Sequence, residues 1–238
     1  CIRTLEAHGD EVESTAFSPD VTLLLTASFD GTAKLWSVAS GESLCALEGH
    51  ASGVNLASFS PNGALAMTCS YDGAAKLWSA PSGKLIRSLV GHILPLSSAS
   101  FSPDSTMVVT GSFDNKAKVW AIETGECFLT LQGHERPVYS ALFSSDGAHV
   151  LTGSSDRTAK LWSVASGECV RTLEGHDGEA FTSSLSPDGT MVLTGSSDRT
   201  AKLWSAVSGE CLHTFKGHRA KLFSVAFSPA VFPSALLV

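Results

Sequence analysis

Histidine, threonine and aspartate are the side chains a hydrolase assembles into base, nucleophile and orienting acid, and this sequence sets them out on a fixed step. His8, His50, His92, His134 and His176 lie 42 residues apart. Thr26, Thr68, Thr110, Thr152 and Thr194 keep the same step, as do Asp30, Asp72, Asp114, Asp156 and Asp198, and Trp36, Trp78, Trp120, Trp162 and Trp204. The stretch "TGSSDRTAKLW" stands twice, at Thr152–Trp162 and Thr194–Trp204, with diverged copies beginning at Thr26, Thr68 and Thr110. A catalytic site is needed once, whereas a structural brace is needed in every copy of a unit, so the recurrence points to a brace. The diverged copies carry this argument best, because the units from His134 and His176 share long identical stretches that recent duplication alone would leave.

Other chemistry finds little footing. The six cysteines form no C-x-x-C pair, so no zinc site is expected. Cys1, Cys127, Cys169 and Cys211 fall on the 42-residue register, one or more full repeats apart, beyond the roughly 4.4–6.8 Å between Cα atoms that a disulfide spans; buried free thiols in a reducing compartment are expected. There is no Gly-rich phosphate loop with a lysine and no paired-histidine metal motif; His149 and His213, the two histidines off the register, read as surface residues. No cofactor, metal or small-molecule substrate is expected. The net charge of −7 without a basic run argues against a nucleic-acid surface. No apolar run approaches the roughly 18 residues of a membrane span. The chain opens on Cys1 inside a repeat and without a secretory signal, which reads as a fragment of an intracellular protein, cytoplasmic unless ciliary, cytoskeletal or nuclear.

A repeat of 42 residues must be a unit of structure. Taken from His134, "PVYSALF" alternates as a half-buried strand does, "SSDG" turns, "AHVLTGS" is a second strand, "SDRT" turns, "TAKLWSV" is a third, and "CVRTLEG" after "SGE" is a fourth. Gly147 is free to take the positive φ that the first turn asks for. Helical periodicity is absent. The sequence predicts one all-β domain over 1–238 with units at 8–49, 50–91, 92–133, 134–175 and 176–217 and a partial unit at 218–238.

The Gly-His openings, the "FSPD" turn and the "SSDRTAKLW" strand resemble the WD-repeat β-propeller family, in strict register from Cys1 to about Pro229. The dipeptide that names the family is Trp-Ser here at four units and Trp-Ala at Trp120, a loss at a strand end that leaves the fold in place. The resemblance implies a ring of four-stranded antiparallel blades around a channel. It also implies a hydrogen-bonded chain in each blade, running Asp30, His8, Thr26 and Trp36 in the first and so on to Asp198, His176, Thr194 and Trp204 in the fifth. The chemistry fits: Asp accepts from one imidazole N–H, the other ring nitrogen accepts from the Thr hydroxyl, and that oxygen accepts from the indole. In this arrangement the Thr is engaged with Trp inside a blade and has no substrate access.

In the family an N-terminal strand commonly completes the last blade, and Cys1–Glu6, "CIRTLE", matches the fourth strand "CVRTLE" from Cys169. The last unit fails from Ala230, where "VFPSALLV" brings neither Asp nor Trp, and Pro233 interrupts a central strand. The expected architecture is a near-closed six-bladed ring, the other being an open arc cut from a seven-bladed one.

A rigid ring without catalytic groups suits protein docking, and the resemblance implies where. Partners of the family often dock on the face of the His-bearing loops, at the third and fifth residues after the His and the residue before the Asp. Here the third residues include Glu11, Pro137, Glu179 and Lys221; the fifth are Glu13, Asn55, Ser97, Tyr139, Phe181 and Phe223; the residues before Asp are Phe29, Tyr71, Phe113, Ser155 and Ser197. The residues between third and fifth, Val12, Val54, Leu96, Val138, Ala180 and Leu222, are uniformly apolar and read as inward-facing. Six aromatics then sit near one rim, and aromatics among polar groups mark interaction surfaces. The expected function is a scaffold or adaptor binding other proteins or peptide segments, with basic groups favoured by the −7 charge. Substrate receptors and ciliary or centriolar assembly factors share this unadorned form. The remote alternative is a propeller hydrolase with a channel metal, for which only Glu11, Glu13 and Glu179 offer ligands.

Overall fold

The computed structural model describes residues 4–6, 8–228 and 236–237. Among them there is no helix, and the strands fall into five four-stranded antiparallel sheets, each a meander in sequence order. The first blade is β1 (Val12–Phe17), β2 (Leu23–Ser28), β3 (Ala33–Ser37) and β4 (Ser43–Leu47). The second is β5 (Val54–Phe59), β6 (Leu65–Ser70), β7 (Ala74–Ser79) and β8 (Leu85–Val90). The third is β9 (Leu96–Phe101), β10 (Met107–Ser112), β11 (Lys116–Ala121) and β12 (Cys127–Gln132). The fourth is β13 (Val138–Phe143), β14 (His149–Ser154), β15 (Ala159–Ser163) and β16 (Cys169–Leu173). The fifth is β17 (Ala180–Leu185), β18 (Met191–Ser196), β19 (Ala201–Ser205) and β20 (Cys211–Phe215), after which the short β21 (Ala226–Phe227) pairs with β22 (Leu236–Leu237).

The sequence makes these strands by alternation and ends them with turn chemistry. Between the first two strands of each blade a serine caps the turn: Ser144 Oγ donates to Asp146 Oδ1 at 2.5 Å and accepts from His149 N–H at 2.9 Å. The same pair recurs as Ser18 with Asp20 and Ser186 with Asp188. The turn needs a positive φ, which Gly63, Gly147 and Gly189 supply at 73°, 70° and 69°. In the first blade that place is held by Val21 at 60°, a conformation that a β-branched side chain resists.

The core lies between blades rather than within them. Leu25, Ala27, Leu35 and Leu47 of the first blade pack on Val54, Ala57 and Trp78 of the second. Met67, Leu77 and Leu89 likewise meet Trp120, Val119 and Leu131 meet Trp162, and Leu161 and Leu173 meet Trp204. The fifth blade packs Leu193 and Ala201 against Leu222, Val225 and Phe227. A unit that cannot bury its own face requires a neighbour.

The first blade shows the consequence. Val54, Leu96, Val138 and Ala180 are at most 1% exposed, but Val12, expected inward with them, is 50% exposed and Phe17 is 59% exposed. The preceding-side face of β1 has no described strand packed on it. Leu5 lies at its edge, sharing an apolar cleft with Phe17, Leu24 and Trp36. This is the seat that Leu47 takes beside Trp78 and Leu89 beside Trp120. The expected ring-closing strand Cys1–Glu6 and the tail from Ala230 fall largely outside the described residues, and with them the contact that distinguishes ring from arc.

The cysteines need correcting. Cys69 is buried and Cys45 half-buried, but Cys127, Cys169 and Cys211 are exposed, because each opens the outermost strand of its blade, where no further strand covers it.

Candidate functional site

In every blade the same four side chains are joined end to end. His Nδ1 lies 2.7–2.9 Å from the Asp Oδ2, His Nε2 lies 2.7–2.9 Å from the Thr Oγ1, and the Trp indole donates to that oxygen at 2.8–2.9 Å. The strand register builds this, since β14 places Thr152 beside Lys160 and Val150 beside Trp162. The glycine before the histidine has its own reason: a side chain on Gly133, at φ 159°, would come within 3.2 Å of the Trp162 ring.

The polar groups satisfy one another. A histidine that donates to carboxylate through Nδ1 and accepts at Nε2 is neutral, and burial holds His50, His92 and His176 below the ordinary 6.5, against the opposing pull of their aspartates. Burial works to raise Asp72 and Asp198 as the largest single effect. Backbone N–H donors, threonine and histidine together outweigh it and bring Asp198 down to about 2. The threonine hydroxyls, at most 5% exposed, are enclosed and committed to Trp. A nucleophile in that position meets no substrate.

A fifth side chain belongs to this brace and was not drawn from the sequence. Ser28, Ser70, Ser112, Ser154 and Ser196, two residues before each Asp, are fully buried. Each hydroxyl accepts from the Asp N–H at 3.0–3.1 Å. In four blades it also donates to the carbonyl two residues after the histidine. The signal was in the repeated "S-x-D", a serine as invariant across the five units as the aspartate itself.

Above the brace the three rim positions converge. The N–H of the residue before Asp donates to the carbonyl of the third residue after His: Phe29 to Glu11, Tyr71 to Gly53, Phe113 to Pro95, Ser155 to Pro137 and Ser197 to Glu179, at 2.9–3.1 Å. The aromatics then link across blades. Phe29 and Tyr71 lie 5.7 Å apart by ring centroid, and Gly53 leaves Phe29 its room. Phe113 meets Tyr139 edge-on at 5.7 Å, Tyr139 meets Phe181 at 4.9 Å, and Phe181 stacks on Phe223 at 6.2 Å. Phe29 and Phe223 are 50% and 70% exposed; the others are half-buried.

Not every rim residue faces outward. Asn55 donates to Leu96 O at 2.6 Å and Ser97 donates to Val138 O, so both are struts to the next blade. Pro137 is half-buried, while Glu11 and Glu13 are exposed. Glu179 accepts from Ser155 Oγ at 2.6 Å. Burial first, and then the Glu179 carboxylate, push the Tyr139 phenol above its ordinary 10. Where Ser155 and Ser197 replace the aromatics of the first three blades, a cleft of about 250 Å³ opens, with Glu135, Asp177 and Glu179 facing Arg136 and Arg157. Among the described residues no three His, Cys, Asp or Glu side chains are grouped to hold a metal ion.

The family model described as WD domain, G-beta repeat matches the chain six times, at residues 1–37, 41–79, 83–121, 125–163, 167–205 and 209–230. The second to fifth matches each begin two residues before the fourth strand of one blade and end with the third strand of the next, so these repeats straddle two blades. No curated protein matches the chain significantly.

Proposed function

Because the chain belongs to the WD-repeat family, whose repeats generally mediate protein–protein interaction and complex assembly, we propose that it is a non-catalytic scaffold or adaptor that docks partner proteins on its aromatic rim. The observation that carries this is the chain of rings from Phe113 through Tyr139 and Phe181 to Phe223, with the Glu179 carboxylate acting on Tyr139. Packed aromatics flanked by polar groups supply the anchors from which interfaces draw most of their energy. The partner is a peptide segment or small domain presenting basic groups, drawn by Glu11, Glu13 and Glu179 and by the net charge of −7.

Affinity capture with mass spectrometry tests this when run on three proteins: the parent, Phe113→Ala on the rim, and Phe128→Ala, exposed on the outer strand β12. Partners retained by Phe128→Ala and lost by Phe113→Ala support the reading. The reverse pattern places the docking surface on the outer strands.

A further inference from the structure

The third residue after the histidine is acidic, glycine or proline in the five complete units and lysine in the sixth: Glu11, Gly53, Pro95, Pro137, Glu179 and Lys221. The one basic side chain of the series goes to the aromatics. The Lys221 ammonium lies 5.3 Å from the Phe181 ring centroid and 4.6 Å from that of Phe223. The two rings are inclined by only 22°, so their faces run nearly parallel. A cation within about 6 Å of a ring centroid is attracted by the negative face of the ring, and Lys221 satisfies that distance to two rings at once.

The position of this lysine is set by backbone rather than left to the surface. Leu222, the next residue, is 7% exposed and packs on Leu193 and Ala201, and its N–H donates to Ser196 O at 3.1 Å. The stem of Lys221 therefore starts from an anchored point beside the fifth blade. The residue before Asp198 is Ser197, where the first three blades carry a ring.

We propose that Lys221 is an internal occupant of a cation-binding step formed by Phe181 and Phe223, which a lysine or arginine side chain of a partner must displace to dock; this rests on the rim being the docking face. The step offers two nearly parallel aromatic faces. Glu179, two residues from Phe181 along the chain, turns its carboxylate to Ser155 Oγ. The ligand class follows as a cationic side chain, and Lys221 sets a threshold that weakly bound basic segments do not pass.

The test uses the peptide Ac-Gly-Gly-Arg-Gly-Gly-NH2 and its neutral citrulline counterpart, titrated into the full chain and followed through the NMR signals of Phe181 and Phe223. Three proteins are compared: the parent, Lys221→Met, which keeps the apolar stem and removes the ammonium, and Arg219→Gln, which removes an equal charge two residues away. The expected result is arginine-peptide binding at both rings that tightens about two- to fivefold in Lys221→Met, unchanged in Arg219→Gln, with no shift by the citrulline peptide. Equal affinity of parent and Lys221→Met, with the shifts still at Phe181 and Phe223, overturns the internal occupant and leaves the docking face standing. Equal gains in Lys221→Met and Arg219→Gln also overturn it, because net charge alone then accounts for the effect. Arginine-peptide shifts at neither ring in any of the three proteins overturn both the occupant and the rim as a site for basic groups.

Discussion

Asp156→Ala is the most searching perturbation of the brace, because its carboxylate serves four donors. Oδ2 accepts from His134 Nδ1 at 2.7 Å and Glu135 N–H at 3.1 Å; Oδ1 accepts from Thr158 N–H at 3.0 Å and the Thr158 hydroxyl at 2.7 Å. The side chains of His134 and Asp156 are 1% and 9% exposed, so water reaches the orphaned imidazole poorly. A buried donor left without an acceptor costs about 1–3 kcal/mol, and hydrogen bonds to a charged group sit toward the upper part of that span. At about 2–4 °C per kcal/mol for a chain of this size, a loss of about 2–3 kcal/mol lowers the melting temperature by roughly 4–12 °C. Asp156→Asn separates charge from shape. Its amide offers one oxygen where the carboxylate has two, so one of the two donor pairs must face an NH2 group, and its loss is intermediate. Asp30→Ala is the internal comparison: the side chains of His8 and Asp30 are 6% and 18% exposed, solvent compensates in part, and the loss is smaller. Differential scanning calorimetry of the four proteins reads all of this. An Asp156→Ala protein melting within a degree of the parent refutes the brace, and Asp30→Ala costing more than Asp156→Ala refutes the role given to burial.

Three further outcomes follow from the geometry. Val21→Gly should raise the melting temperature by up to about 6 °C, because it replaces a β-branched residue at φ 60°, costing roughly 1–2 kcal/mol, with one whose entropic penalty is about 0.5–1 kcal/mol; calorimetry showing a lower value contradicts the strain. Acid should destabilise in two windows. His50, His92 and His176 are held below 6.5, and Asp30, Asp72, Asp156 and Asp198 below 3.8, so in both ranges the unfolded chain binds more protons than the native one and stability falls as pH falls. A melting temperature flat from pH 7.5 to 5 excludes neutral buried histidines. Phe113→Ala and Tyr139→Ala should each weaken partner binding at least roughly thirtyfold, the effect of losing an anchor of about 2 kcal/mol, while the lost ring contacts, one pair for Phe113 and two for Tyr139, at about 0.5–1.5 kcal/mol each, lower melting by about 1–6 °C and about 2–12 °C respectively. Undiminished binding by both variants, measured by titration calorimetry, moves the interface to another face.

The blades and their brace were legible because five copies of one pattern cancel local noise. Alternation gave the strands, and the constant intervals among His8, Thr26, Asp30 and Trp36 gave the hydrogen-bonded set once the family was recognised. What the sequence did not carry is where a side chain goes when two blade faces are available to it. Asn55 and Ser97 sit in the same register as Tyr139 and Phe181, yet short polar side chains find the carbonyls of Leu96 and Val138 within reach and turn sideways, while long rings pass over the junction to meet each other. Val12 has the same type as Val54 and Val138, and its exposure depends wholly on whether a blade stands before it. Cys127, Cys169 and Cys211 look like core residues by type, but they lie on a strand whose outer side has no neighbour. Each of these turns on the neighbour across a junction, and a repeat read by itself does not name its neighbour.

The brace and the rim are one device, and this bears on how the docking face works. After each histidine the chain is tied at three successive residues: the next N–H donates to the Asp carboxylate, the second carbonyl accepts from the buried serine in four blades, and the third carbonyl accepts from the N–H of the rim residue before Asp. In the fourth blade these ties are Glu135 to Asp156, Ser154 to Arg136 and Ser155 to Pro137. The loop that carries the rim is thus fixed by the same carboxylate that satisfies the imidazole below it. A surface ordered before it meets its partner loses less conformational freedom on binding, so the hydrogen bonds inside each blade contribute to affinity without touching the ligand. It follows that Asp156→Ala should weaken docking at Tyr139 and Phe181 beyond what its distance from them implies. Asp30→Ala should leave that end of the rim unaffected, because it loosens a loop three blades away.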